Sequence, residues 1–145
     1  MKKLISTLVI AAAAVSGGLA HAQTANTILV EFQGPGGHSS GNYGRTSALH
    51  AAARSVMALQ KAGLPAGSYA VTDLTGGNSV NSIASDGKFV ATLNAQSGVS
   101  AADFLAKVTE AAKTGTDAEN AFRNVKPCDL TAGAPADIRY SVKPQ

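Results

Sequence analysis

Cysteine is nearly missing from this 145-residue chain: Cys128 stands alone. In an oxidising compartment a single cysteine closes no intramolecular disulfide, so the core must hold the fold, and a Cys-based metal site is excluded. An intermolecular bridge or an idle thiol are the roles left to it. Clustered positive charge is missing too. Arg45, Arg54, Lys61, Lys88 and Lys107 are scattered, with no aromatic-plus-basic motif, which argues against a nucleic-acid partner. Histidine is scarce: beyond residue 22 only His38 and His50 remain. With no His-x-Asp, no Glu-Glu pair and no H-E-x-x-H, the chain alone cannot build a zinc site.

A membrane-length apolar run is also lacking. Leu4 to Val15, broken by Ser6 and Thr7, falls short of the roughly 20 residues a span needs. Behind Lys2 and Lys3, and ahead of Ala20-His21-Ala22, it reads instead as a secretory signal with a small-x-small cleavage site. An uncleaved anchor is the alternative. No cysteine follows the run, so a lipoprotein anchor is not indicated. The expected division is a signal peptide over residues 1–22, cleaved after Ala22, and a periplasmic or secreted domain over 23–145, free of the membrane. Losing Lys2 and Lys3 leaves ten basic against nine acidic residues, so the formal +3 reflects the signal in part. What remains is enough for one compact domain.

Periodicity supplies the elements. Thr27–Gln33 alternates, with Ile28, Val30 and Phe32 on one face, as a half-buried strand does. Thr46–Lys61 has helical spacing, with Leu49, Ala52, Ala53, Val56 and Leu59 on one stripe, Thr46 or Ser47 as cap, and Gly63 with Pro65 beyond its end. Ser68–Thr75 predicts a second strand and Gly76–Asn81 an irregular polar connection. Asp86-Gly87 is a turn signal before a strand over Lys88–Ala95, with Phe89, Ala91, Leu93 and Ala95 inward. Ser100-Ala101-Ala102-Asp103 opens a helix in the manner of a capping box. Its stripe is Phe104, Leu105, Val108, Ala111 and Ala112, with Gly115 as its C-cap. A short extra helix is expected over Thr116–Asn124, a loop over Thr131–Pro135, and a last strand over Ile138–Val142. The order β-α-β-β-α-β predicts an α+β, ferredoxin-like sandwich: a four-stranded antiparallel sheet with two helices on one face. Such an open sheet leaves two edges to be blunted or paired with another chain.

Between the first strand and first helix lies Gly34-Pro35-Gly36-Gly37-His38-Ser39-Ser40, a loop whose glycines permit unusual backbone shapes around one histidine. Gly37-His38-Ser39-Ser40-Gly41 matches G-x-S-x-G formally. However, the helical run starts several residues later, no acid lies between Ser39 and His50, and the chain is too short for a hydrolase of that kind. A phosphate loop needs Gly-Lys-Ser/Thr, and Gly44-Arg45-Thr46 lacks the preceding spacing. His50 reads as a helix-surface or satisfied core histidine. His38 is then either an idle loop residue or a donor that polarises a carbonyl or steadies an oxyanion in a site another chain supplies.

The His38 loop, the helix start with Gly44 and Ala48, and Thr75-Gly76-Gly77-x-x-x-Asn81-x-Ile83 together resemble the lid, or dimerisation, domain of the M20 family of zinc metallopeptidases. That family includes aminoacylase-like and carboxypeptidase-like hydrolases. The resemblance spans Thr27 to Val142. It implies a lid normally inserted into a separate catalytic domain that holds two zinc ions. It also implies that His38 reaches the partner subunit's active site to stabilise a tetrahedral intermediate, and that Asn81, Gly76 and Gly77 contact substrate. Pairing into a two-fold homodimer through sheet edges and helices is implied as well. Ala84 stands where the family often has proline, and the zinc-binding set has no counterpart. The expectation is therefore a self-contained exported module without catalysis or cofactor of its own, zinc entering only if a separate subunit supplies it. The alternatives are an accessory or remnant part of an M20-type peptidase that offers His38 and Asn81 in trans, and an autonomous enzyme using His38 as acid or base.

Overall fold

The computed structural model describes residues 26–145. The expected signal peptide lies outside that range. Eleven elements follow in order: β1 (Thr27–Gln33), β2 (Gly37–His38), α1 (Ser39–Asn42), α2 (Ala48–Gln60), β3 (Tyr69–Gly76), β4 (Ser82–Ile83), β5 (Asp86–Leu93), α3 (Ala101–Phe122), β6 (Leu130–Thr131), β7 (Ala134–Pro135) and β8 (Arg139–Pro144).

The long strands form one antiparallel sheet in the order β3-β5-β1-β8. Alternation explains which side of it is covered. Ile28, Val30 and Phe32 on β1 and Phe89, Ala91 and Leu93 on β5 are buried, whereas Lys88 and Thr92 are exposed. Helices α2 and α3 pack on the apolar side, where Leu59, Phe104 and Val108 complete the core with Ile138. This is the expected ferredoxin-like α+β arrangement. Strands β3 and β8 are its open edges. The edge of β3 is interrupted by a register shift between Thr72 and Thr75, with Asp73 at φ +54.

Six local expectations are corrected. Gly115 does not end a helix, and no separate helix starts at Thr116, because α3 runs unbroken for 22 residues. The glycine is there for closeness: a Cβ on Gly115 would lie 2.1 Å from Ser55 Oγ and 2.4 Å from Ser55 N on α2. The buried stripe of α2 is Ala48, Ala51, Ala52, Ser55 and Leu59, a small-residue seam that lets α3 approach, while Leu49, Ala53 and Val56 stand at its border. Asp86-Gly87 belongs to β5 rather than to a turn. Gly87 pairs with Phe32 and lies under the start of α2, where a Cβ would meet Ala48 O at 2.5 Å. Ala95 lies past the end of β5 and is exposed. Thr131–Pro135 is the small β6–β7 hairpin, not a plain loop.

Helix caps follow the sequence closely. The Ser47 hydroxyl accepts from the His50 N–H, and the Ser100 hydroxyl accepts from the Asp103 N–H, each satisfying an amide the first turn leaves unpaired. Among the described residues no helix is long and apolar enough to cross a membrane.

Candidate functional site

Two loops far apart in sequence meet at His38 and Asn81. β1 ends at Gln33 and the chain turns through Gly36 at φ +63 and Gly37 at φ +135. That backbone lets β2 pair with β4, Gly37 opposite Ile83 and His38 opposite Ser82. The Ser39 N–H donates to Asn81 O at 2.9 Å and extends the pairing by one rung. Arg45 closes the loop from outside, its Nη1 donating to Gly36 O at 3.1 Å, and Asn42 Nδ2 donates to His38 O at 2.9 Å. The histidine backbone is thus held at both of its neighbours.

Its ring is held as well. The Ser79 hydroxyl donates to Asn81 Oδ1 at 2.7 Å, which leaves Asn81 Nδ2 facing His38 Nε2 at 3.0 Å. In that arrangement the amide donates and Nε2 accepts, so the ring proton sits on Nδ1 and points to Ser40 Oγ at 2.8 Å. In the other tautomer Nδ1 accepts from the Ser40 N–H at 3.3 Å, and Nε2 becomes a donor with no acceptor in Asn81 Nδ2. Of the two neutral tautomers, only this second one offers a proton outward to a carbonyl oxygen or oxyanion. Around the pair is a shallow cavity of about 260 Å³ lined by Gly37, Asn78, Ser82, Ile83 and Ser85.

Gly76 and Gly77 do not border that cavity. They line a neighbouring one of about 310 Å³ between the His38 loop and the start of α2. Gly76 closes β3 against β5, where a Cβ would lie 2.4 Å from Asp86 O, and Gly77 turns the chain at φ +77. Of the four residues the sequence singled out, His38 and Asn81 touch each other and the two glycines shape the wall beside them.

Residues the sequence reading missed complete the setting. Glu119 of α3 is fully buried and reaches the start of α2, where its Oε1 accepts from the Ser47 N–H at 3.1 Å. Arg54 Nε donates to its Oε2 at 3.0 Å and Arg123 Nε to its Oε1 at 3.3 Å. His50 is exposed on α2, its Nδ1 3.8 Å from the same carboxylate. Arg54 and Arg123 also flank the exposed Phe122 ring, each guanidinium 4.9 Å from its centroid. The missed signal was the Glu119-to-Arg123 spacing of four, visible only if α3 is read through Gly115.

Zinc, which the resemblance assigns to a separate catalytic domain, finds no fitting group of residues among those described. Among the described residues no three His, Cys, Asp or Glu side chains group so as to hold a metal ion. Cys128 is exposed in the loop before β6, at φ +73.

Comparison with known proteins places these observations in a family. The model of a family described as the peptidase dimerisation domain matches residues 21–120. No curated protein matches the chain. Among solved structures, a hydantoinase/carbamoylase family amidase from Burkholderia ambifaria superposes with a TM-score of 0.54 at 18% identity, over 81% of this chain and 26% of its own. A family amidase of the same description from Burkholderia vietnamiensis gives 0.55 at 16% identity, with the same coverage. At these identities the likeness is one of fold, and the chain spans about a quarter of the length of each amidase.

Proposed function

Because the chain belongs to the peptidase dimerisation domain family over residues 21–120, we propose that it is an exported, non-catalytic module. In this reading it pairs with a second copy and presents His38 and Asn81 as a binding pair. The observation that carries the reading is the contact between His38 and Asn81, made across 43 residues of sequence and exposed at the surface. A loop histidine held by Ser40, Asn42 and Asn81 is a positioned group, unlike one left to solvent. The open β3 edge and the neighbouring outer side of α2, where Met57 is exposed, support self-association. Light scattering of residues 23–145 at micromolar concentration tests the pairing: two copies are expected, and Ala70→Lys on the β3 edge lowers the association. A strict monomer at that concentration sinks the dimeric reading.

A second reading has one observation in its favour. His38 Nε2 lies at the surface 3.0 Å from Asn81 Nδ2, and a proton placed on Nε2, in that tautomer or in the imidazolium, would find no acceptor in this nitrogen and would turn to an oxyanion from outside. The chain then offers His38 and Asn81 in trans to a zinc-bearing M20-type subunit in the same compartment. Hydrolysis of an acyl-amino acid by such an enzyme would rise in kcat when the protein is added, and His38→Ala would abolish the rise. Equal effects of wild type and His38→Ala would refute it. An autonomous activity is the weakest reading, because His38 has hydroxyl and amide partners but no carboxylate among the described residues.

A further inference from the structure

The cavity of about 310 Å³ beside the His38–Asn81 pair has a chemistry of its own. Arg45, His50 and Arg123 line it with hydroxyls such as Ser79, and no Asp or Glu lines it. The charge around it is not balanced. Glu119, buried behind the wall, is shared between Arg54 and Arg123, whereas Arg45 has no acidic partner among the described residues and donates only to the Gly36 carbonyl. Both shared arginines meet Glu119 through Nε, and no described partner engages the terminal nitrogens of Arg123. A partly buried guanidinium without a counter-charge is costly in isolation and favours an anion alongside it. Leu49, Ile83 and Ala84 add apolar lining to the same cavity.

We propose that this cavity is a binding site for a small organic carboxylate: the anion meets Arg45 and the free nitrogens of Arg123, and a short apolar substituent lies against Leu49 and Ile83. The inference rests on the reading of this face as one that meets ligand. It needs neither a second copy nor a zinc-bearing subunit, so a monomeric protein, or one inert toward a peptidase, leaves it standing.

The test is titration of the ¹⁵N-labelled protein with butyrate, inorganic phosphate and butanol at about 0.15 M ionic strength, where exposed charges are largely screened. Butyrate is expected to move the amide signals of residues 44–50 and 76–84 saturably, with Kd on the order of 1 mM, a modest affinity for so small a ligand. Phosphate should bind the same residues more weakly, and butanol should not saturate. Arg45→Gln should weaken butyrate binding about tenfold. His50→Gln, on an exposed helix position, should weaken it severalfold and serves if the first variant fails to fold. Absence of saturable shifts, a titration of folded Arg45→Gln identical to wild type, an unchanged titration of His50→Gln where Arg45→Gln does not fold, or saturation by butanol would overturn the proposal. Tighter binding of phosphate than of butyrate would overturn its assignment to a carboxylate.

Discussion

Gly115→Ala puts the helix seam to a quantitative test. On an isolated helix the change is favourable, since alanine exceeds glycine in helix propensity by about 1 kcal/mol. Here the new methyl would sit 2.1 Å from Ser55 Oγ, 2.4 Å from Ser55 N and 2.7 Å from Ser55 Cα. Ordinary contact begins near 3.4 Å, so α2 and α3 must part by about 1 Å. A gap of that size forfeits roughly a quarter to a half of the dispersion energy of the atoms it separates. The loss falls on Ala51, Ala52, Ala111 and Ala112, and on the Ser55 hydroxyl, whose contact across the seam is to Ala112 O at 3.4 Å. Overpacking of a well-filled core costs about 1–3 kcal/mol or more, and the backbone atoms involved put this site at the high end. With the propensity gain set against it, a net loss of about 2 kcal/mol is expected, lowering Tm by roughly 8 °C for a domain of this size. Thermal unfolding followed by circular dichroism reads the change. Ser55→Gly should not rescue the variant, because Ser55 N and Cα remain in the way. Gly41→Ala is the control, with open space around its position. Stability at or above wild type for Gly115→Ala, or full rescue by Ser55→Gly, would refute the close-approach argument.

The other predictions concern charge and capping. Glu119→Ala removes the partner of two arginines and the acceptor for the Ser47 N–H at once. A loss of about 3 kcal/mol in urea unfolding is expected, with Glu119→Gln losing less because it keeps an acceptor. Ser100→Ala should cost about 1 kcal/mol through the lost cap on the Asp103 N–H, and Ser100→Asn should restore most of it without setting a second carboxylate beside Asp103. Glu31 is held below its ordinary value of 4.5 by the hydrogen bond and then the charge of Lys143. Its contribution is therefore present above pH 4.5 and lost as pH falls through the lower folded value. Lys143→Ala should flatten that part of the acid limb of stability, and added salt should shrink the difference, since the pair is exposed. An acid limb unchanged by Lys143→Ala would contradict this.

The fold was legible because its strands alternate cleanly and its helix caps are local. Ile28, Val30 and Phe32 announce the covered face of β1, and Ser47 and Ser100 announce helix starts within a residue. What misled were glycines with long-range reasons. Gly115 has the look of a helix end and Gly87 that of a turn, but each is small because a neighbour's backbone lies within 3 Å of its missing Cβ. At the site, the meeting of His38 and Asn81 follows from residue type and motif, while the basic wall does not. Arg45, His50 and Arg123 are spread across 79 positions and converge only once α2 and α3 are packed. Spacing along the chain carries no trace of that.

The unbroken α3 also works as a shaft with a fixed phase. Each residue advances an α-helix by about 100°, so the angle at which Glu119 and Arg123 arrive under the start of α2 is set by Gly115 four and eight positions earlier. One residue inserted between Gly115 and Glu119 would keep the helix and its composition while swinging the carboxylate away from Ser47 and Arg54. The seam between two helices is thus the timing mark for the charge of a cavity it never touches.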